Sequence, residues 1–218
     1  MQDAIEFTFG NIQANSTSPT SRTFVSSRAI LATTNNYAND INKLCLNQLP
    51  GEEIIIPSVD STVNPDDATH YPVEYINSLQ TAGIPPHQLT LKKGAVVMLL
   101  RNLNIRGGLC NGTRLIIQDV INARLIRATI ANGEHQGRTV LIPKIQTQPA
   151  DSYNFGFEWQ RYQFPVKVAF AMTIHKSQGQ TLQAVAVWLQ EPCFGHGQLY
   201  VAASRVGSPD PIKVFRKK

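Results

Sequence analysis

The chain has 218 residues, 42% of them hydrophobic and 16% charged, which is enough apolar content for one sizeable core and argues against a disordered polar tail. No apolar run reaches the length of a membrane span, and the first ten residues lack a signal peptide's basic-then-apolar order. Three widely spaced cysteines (Cys45, Cys110, Cys193) fit reduced thiols rather than a disulfide scaffold or a zinc site. The net charge of +5 is lopsided: residues 1–90 carry three Lys/Arg against nine Asp/Glu (−6), and residues 91–218 carry seventeen against six (+11). A basic half of that size suits a phosphate backbone, and equally a solvated surface.

Residues 1–27 are rich in Ser, Thr, Asn and Gln and show no sustained period, so they read as a tail or a remnant of a preceding element. Ala29 to Ala32 is a short apolar run that suits a buried strand. Asn35 to Leu49 has helical spacing, with Thr34 or Asn35 available as N-cap. Residues 50–70 read as loop, with the acidic pair Asp66-Asp67 solvated. Val73, Ile76 and Leu79 predict a short helix with Pro72 at its first position, ended by Gly83 and Pro85-Pro86. From Leu91 the texture changes: Ala95–Leu100, Arg114–Val120, Leu125–Ala131 and Arg138–Ile142 are short β-type runs separated by Gly and Asn, which predicts a small β-barrel. The apolar run Phe164–Ala171 then leads into Thr173-Ile-His-Lys-Ser-Gln-Gly179. Ala184–Leu189 reads as a strand, Gln198–Val206 as a helix and Ile212–Phe215 as a last strand.

Two stretches gather reactive residue types at element ends. A buried strand before Thr173 delivers Thr173, His175, Lys176, Ser177 and Gln178 to its C-terminal edge, where open α/β sheets bind ligands, and a helix N-terminus next in the chain would offer amides to phosphate oxygens. The plain alternative is a polar loop capped by Ser177. Arg205 ends a small-residue helix, where its fork can stabilise a transferring phosphate; the alternative is an ordinary arginine near a helix C-terminus.

Together the stretches resemble motifs V (173–179) and VI (Tyr200 to Arg205, with Ala203 where leucine is usual) of superfamily-one helicases. The resemblance is specifically to the petite-integration-frequency helicases and the helicase parts of Helitron transposons. Tyr71–Leu79, Leu89–Asn102 and Gly108–Arg114 are similar to the start of that family's inserted two-B domain, and Ile30–Asn35 through Asn42 to its motif IV region. Ordered multiple motifs are far more specific than one.

The resemblance implies an α/β fold: a RecA-like second motor domain, with a parallel sheet and flanking helices, interrupted by a small inserted β-barrel. The expected boundaries are 28–90 for its first part, 91–163 for the barrel and 164–218 for its second part. It implies the C-terminal part of an ATP-dependent 5′→3′ DNA helicase acting on single-stranded DNA or a single-strand/duplex junction, in processes such as DNA repair, recombination and telomere maintenance, and in the nucleus rather than the mitochondrion. Arg205 is then the arginine finger, and Gln178, Gly179, Gln198 and Tyr200 lie toward the nucleotide. Thr33, Thr34, Asn35, Thr173, His175, Lys176 and Ser177 face DNA. No metal ligand is expected within the chain. Lys92, Lys93, Arg101, Arg106 and Arg114 are further phosphate candidates, each equally readable as surface. Trp159 and Phe155 read as core packing before base stacking.

No G-x-x-x-x-G-K-[ST] loop occurs in the 218 residues, nor a strand-borne Asp-Glu pair. ATP and Mg²⁺ are therefore implied as cofactors whose phosphate and metal ligands would come from a first RecA-like motor domain outside this sequence. The rival reading is a non-catalytic DNA- or partner-binding module, or a decayed transposon remnant.

Overall fold

The structure is a computed structural model that describes residues 1–15, 19–150, 155–191, 195 and 197–216, with the side chains of 19–22 left out; Cys193 lies outside the described residues. Its organising element is a four-stranded, all-parallel sheet. Strands β1 (Arg28–Ala32), β12 (Ala171–Thr173), β13 (Ala184–Leu189) and β14 (Ile212–Arg216) lie in the order β12-β1-β13-β14. Strand β1 is buried on both faces, as a near-continuous apolar run in a parallel sheet must be. Ile30 and Ala32 point into one core with Ala171, Ala186 and Trp188, whereas Ala29 and Leu31 join Val185, Val187 and Ala202 on the other side.

Helix α4 (Asn35–Gln48) starts where the periodicity predicts, with the Thr34 hydroxyl accepting from the Tyr37 N–H. It is fastened to the sheet by the buried amide of Asn42, which donates to the Val168 and Ala171 carbonyls at 3.0 and 2.9 Å and accepts from the Ala171 N–H at 2.7 Å. Residues 1–27 are not a tail. They form α1 (Gln2–Phe9), α2 (Ile12–Asn15) and α3 (Pro19–Ser26), and Ala4, Ile5, Phe9 and Ile12 are buried in the main core. Their weak period hides a contact-driven set of helices, because tertiary burial outweighs local propensity.

Between β1 and β12 the described residues form three antiparallel sheets rather than one closed ladder. The largest has the order β11-β5-β6-β7-β8, built from β5 (Val96–Leu99), β6 (Arg114–Ile121), β7 (Leu125–Ile130), β8 (Thr139–Pro143) and β11 (Val166–Val168). A second pairs β10 (Trp159–Gln163) with β3 (Val59–Thr62) and β9 (Ile145–Thr147), and a third pairs β2 (Ile54–Pro57) with β4 (Gln88–Leu91). The expected loop at 50–70 thus contains two strands. Their partners lie about 35 to 100 residues away, a separation no local pattern reveals. The run Phe164–Ala171 likewise divides: Val166–Val168 pairs antiparallel with β5, and only Ala171–Thr173 joins the parallel sheet. Helix α5 (Val73–Ser78) has Pro72 as its N-cap rather than its first helical residue.

Two buried arginines hold this module. Arg114, fully buried, donates to the carbonyls of Ser26 (2.5 Å), Arg28 (2.9 Å) and Ala169 (2.8 Å), so it ties β6 to both ends of the parallel sheet's entry; burial pulls its pKa down to about 10. Arg161 forms a buried pair with Asp60, with Nε at 2.9 and 3.0 Å from the two carboxylate oxygens. Arg161 also donates to the carbonyls of Ile76, Asn77, Leu79 and Pro85. Trp159 and Phe155 meet edge to face at 6.0 Å within the small core of Ile76, Leu79, Ile84 and Phe157, where Trp159 is fully buried.

Candidate nucleotide and DNA interface

The parallel register sets the site. Ala32 of β1 lies beside Thr173 of β12, so Thr33, Thr34 and Asn35 emerge at the same C-terminal sheet edge as Thr173, His175 and Lys176. This is the edge at which open α/β sheets bind ligands. After Thr173 the chain makes a four-residue 3-10 turn, Ile174–Ser177, rather than the expected helix N-terminus. His175 and Lys176 on this turn and Gln178 and Gly179 just after it are solvent-facing, and Gly179 takes φ +80, a left-handed conformation that costs glycine little. Ser177 is fully buried and its hydroxyl donates to the Ile174 carbonyl at 2.7 Å, so it shapes the turn and its side chain is not exposed to a ligand. Thr33 is also buried, and its hydroxyl has no partner among the described residues.

Gln198, at the start of α6 (Gln198–Ala203), is buried with its Nε2 3.3 Å from His175 Nδ1. Helix α6 stops at Ala203, shorter than the periodicity predicts, while Tyr200 stands 75% exposed on it. Beyond the helix, Arg205 donates from Nε to Val201 O at 2.9 Å, from Nη1 to Ser177 O and Gln180 O at 3.3 Å each, and from Nη2 to the Ser204 hydroxyl at 2.8 Å. Four of its five N–H donors are therefore engaged, leaving one on Nη2. The two stretches identified in the sequence are physically one unit, because Arg205 is held by the carbonyls of the 177–180 loop.

The remaining basic candidates divide. Arg114 is excluded from phosphate contact by complete burial. Lys92 is buried and donates to Leu49 O at 3.2 Å. Lys93 pairs with Asp119 at 3.2 Å, Arg101 donates to Gln148 O at 3.1 Å, and Arg106 is exposed on a 3-10 turn.

Two grooves flank the 173–180 segment, and Lys176 lines both. One, about 740 Å³, runs between Gln178–Thr181 and the turns at Gly108–Thr113 and Asn132–His135. The other, about 510 Å³, runs between α4 and residues 80–90 and includes Lys167 on β11. The sequence reading missed Gln180, whose Nε2 reaches Gly112 O at 3.4 Å and so bridges the segment to the antiparallel module. It also missed Lys167, although a lysine inside the apolar run Phe164–Ala171 was the available signal. The residues present could meet the γ-phosphate end of a nucleotide through Arg205. They offer no loop to cradle its other phosphates, and the described residues contain no cluster of three metal-ligating side chains.

A mixed α/β chain whose parallel sheet carries polar residues at its C-terminal edge, with an antiparallel module inserted between strands, is a RecA-like motor domain with an insertion. Comparison with known proteins specifies it further. Residues 74–120 match the family model for the DNA helicase Pif1 2B domain. The human ATP-dependent DNA helicase PIF1 is 34% identical over 184 residues, covering 80% of this chain and 25% of that protein, and its Xenopus laevis counterpart is 33% identical over 178 residues with the same coverage. A crystal structure of Pif1 helicase from Candida albicans superposes over 100% of this chain and 54% of its own, with a TM-score of 0.64 at 25% identity. A Bacteroides Pif1 bound to single-stranded DNA shares the fold, with a TM-score of 0.62 at 22% identity over 98% of this chain and 49% of its own. The chain is thus similar to Pif1 helicases over four-fifths of its length, and it spans about a quarter of the length of the curated relatives it matches.

Proposed function

We propose that this chain is the second motor domain, with its 2B insertion, of an ATP-dependent 5′→3′ DNA helicase. It contributes the arginine finger Arg205 and one wall of the single-strand track. The carrying observation is the junction of Arg205 with the 177–180 loop: its guanidinium is anchored on the Ser177 and Gln180 carbonyls, in the same segment as Thr173, His175 and Lys176, so a finger on the nucleotide side would be tied to the edge proposed to meet DNA. Nucleotide-driven closure against a first motor domain would then move the DNA-contacting edge, which is the coupling a translocating motor needs. Gln178, Gly179, Gln198 and Tyr200 lie toward that nucleotide. ATP with Mg²⁺ supplies the phosphoryl group and its counter-charge, and the cradle for both comes from the partner domain.

The absence of a G-x-x-x-x-G-K-[ST] loop within these residues favours a second reading, a DNA-binding module without turnover. One assay addresses both. The chain alone binds a fluorescent oligo-dT with affinity that falls as salt rises, and it shows no DNA-stimulated ATP hydrolysis. Adding a first motor domain with its phosphate loop restores hydrolysis. Robust hydrolysis by the chain alone, or none after the domain is added, would overturn the motor reading.

A further inference from the structure

Lys167 lies outside every recognisable motif. It sits on β11, the short strand that leads from the antiparallel module into the parallel sheet, and it pairs in register with Met98 of β5. Its side chain is half-buried in a crevice that also contains Asn35, Thr173 and Lys176, three residues expected on the DNA side from the sequence. Asn35, Lys167 and Lys176 also line the groove of about 510 Å³ beside α4.

Neither lysine makes a salt bridge or a side-chain hydrogen bond among the described residues. The other charged residues lining the same groove are Asp40 and Lys43 on α4 and Arg161, and Arg161 is already bound to Asp60. Burial and the nearby charge of Lys176 pull the Lys167 pKa down to about 8, and burial lowers that of Lys176. Two cations lining one crevice, Lys167 half-buried and neither of them in an ion pair among the described residues, raise the free energy of the folded chain. A phosphate oxygen between them would relieve both the desolvation and the mutual repulsion.

We propose that Lys167 and Lys176 together hold one phosphodiester of single-stranded DNA, so that the strand joining the inserted module to the parallel sheet is itself part of the DNA track. This rests on the DNA-binding reading and adds a residue and a place to it. It also gives the insertion a mechanical role, since a phosphate held on β11 links the module to the edge that Arg205 governs.

The test is oligo-dT binding by the whole chain, measured by fluorescence anisotropy across a salt series, with Lys167→Gln and Lys167→Arg. Removing the whole phosphate contact in the Lys167→Gln, Lys176→Gln double variant lowers the magnitude of the slope of log K against log salt by about 0.7 and weakens binding about fourfold near 0.15 M salt relative to a 1 M reference, and Lys167→Gln alone gives part of that loss. Lys167→Arg keeps the slope. Thermal melting separates this from a structural role: Lys167→Gln leaves the midpoint unchanged or raises it, because a desolvated charge is removed, whereas a structural lysine would lower it.

An unchanged slope in Lys167→Gln, with the parent chain binding oligo-dT, overturns this proposal alone. A parent chain that does not bind oligo-dT at any salt overturns the DNA reading and this proposal together. Thermal protection by inorganic phosphate that Lys167→Gln abolishes, with oligo-dT binding untouched, would assign the pair to a free anion and also overturn it.

Discussion

The edge of the parallel sheet and the antiparallel module use the same kinds of residue in opposite ways. In the module, Arg161 is buried against a carboxylate and four carbonyls, and Arg114 is buried with its two terminal nitrogens on three carbonyls and its Nε without a partner among the described residues. At the edge, Lys167 is half-buried, neither it nor Lys176 has an ion-pair partner among the described residues, Thr33 has a buried hydroxyl without a partner among the described residues, and Arg205 retains one open donor. A buried charge tied to several acceptors fixes a fold, whereas a cation with no hydrogen-bond or ion-pair partner at a sheet edge is available to a ligand. The basic half of the sequence therefore divides into cations that the fold uses itself and cations available to phosphate.

The largest expected departure comes from Arg205. In a protein reassembled with a first motor domain, Arg205→Ala should lower DNA-stimulated ATP hydrolysis by about 10³–10⁵-fold, as removal of an arginine finger does elsewhere. Arg205→Lys should remain impaired, because an ammonium cannot reproduce the fork that engages four donors at once. Near-normal hydrolysis in either variant would move Arg205 into the structural class.

Arg161→Met tests the other side of the comparison. It leaves Asp60 buried without its partner, so denaturant unfolding should show a loss of about 3–5 kcal/mol. A loss within a few tenths would mean that the buried network does not set the module's stability.

A smaller effect separates the two classes by pH. Lys167 has a folded pKa of about 8, below its ordinary value of 10.5, so its charge is disfavoured in the folded chain. Stability of the free chain should therefore rise as pH climbs from about 8 to about 10.5, since the unfolded state then holds the additional proton. DNA affinity should move the other way, falling as pH rises through about 8, because the phosphate needs the protonated amine. Lys167→Arg should abolish most of both trends. A trend that persists in Lys167→Arg would assign it to Lys176, whose pKa burial also lowers.

Some of this was legible in the chain of residues. The strand at Ala29–Ala32, the capped helix beginning at Asn35 and the β-runs from Ala95 to Ile142 follow from period and turn chemistry. They are local signals, and local signals survive in sequence. The strands Ile54–Pro57 and Val59–Thr62 were not legible, because their pairing partners lie far along the chain and Asp60 looks like a loop residue until Arg161 is placed against it. The helices of residues 1–27 were obscured for a similar reason, since their order comes from burial against the sheet.

For the site, sequence alone determined the ordered motifs and hence the kinship, because motif order is written residue by residue. Tertiary structure decided which reactive groups are available. Ser177 and Arg114 carry suitable chemistry but are engaged by Ile174 and by three backbone carbonyls. Lys167 carries no motif but is placed beside Asn35, Thr173 and Lys176. Availability is a matter of burial and of partners brought from distant parts of the chain, and no one-dimensional pattern encodes either.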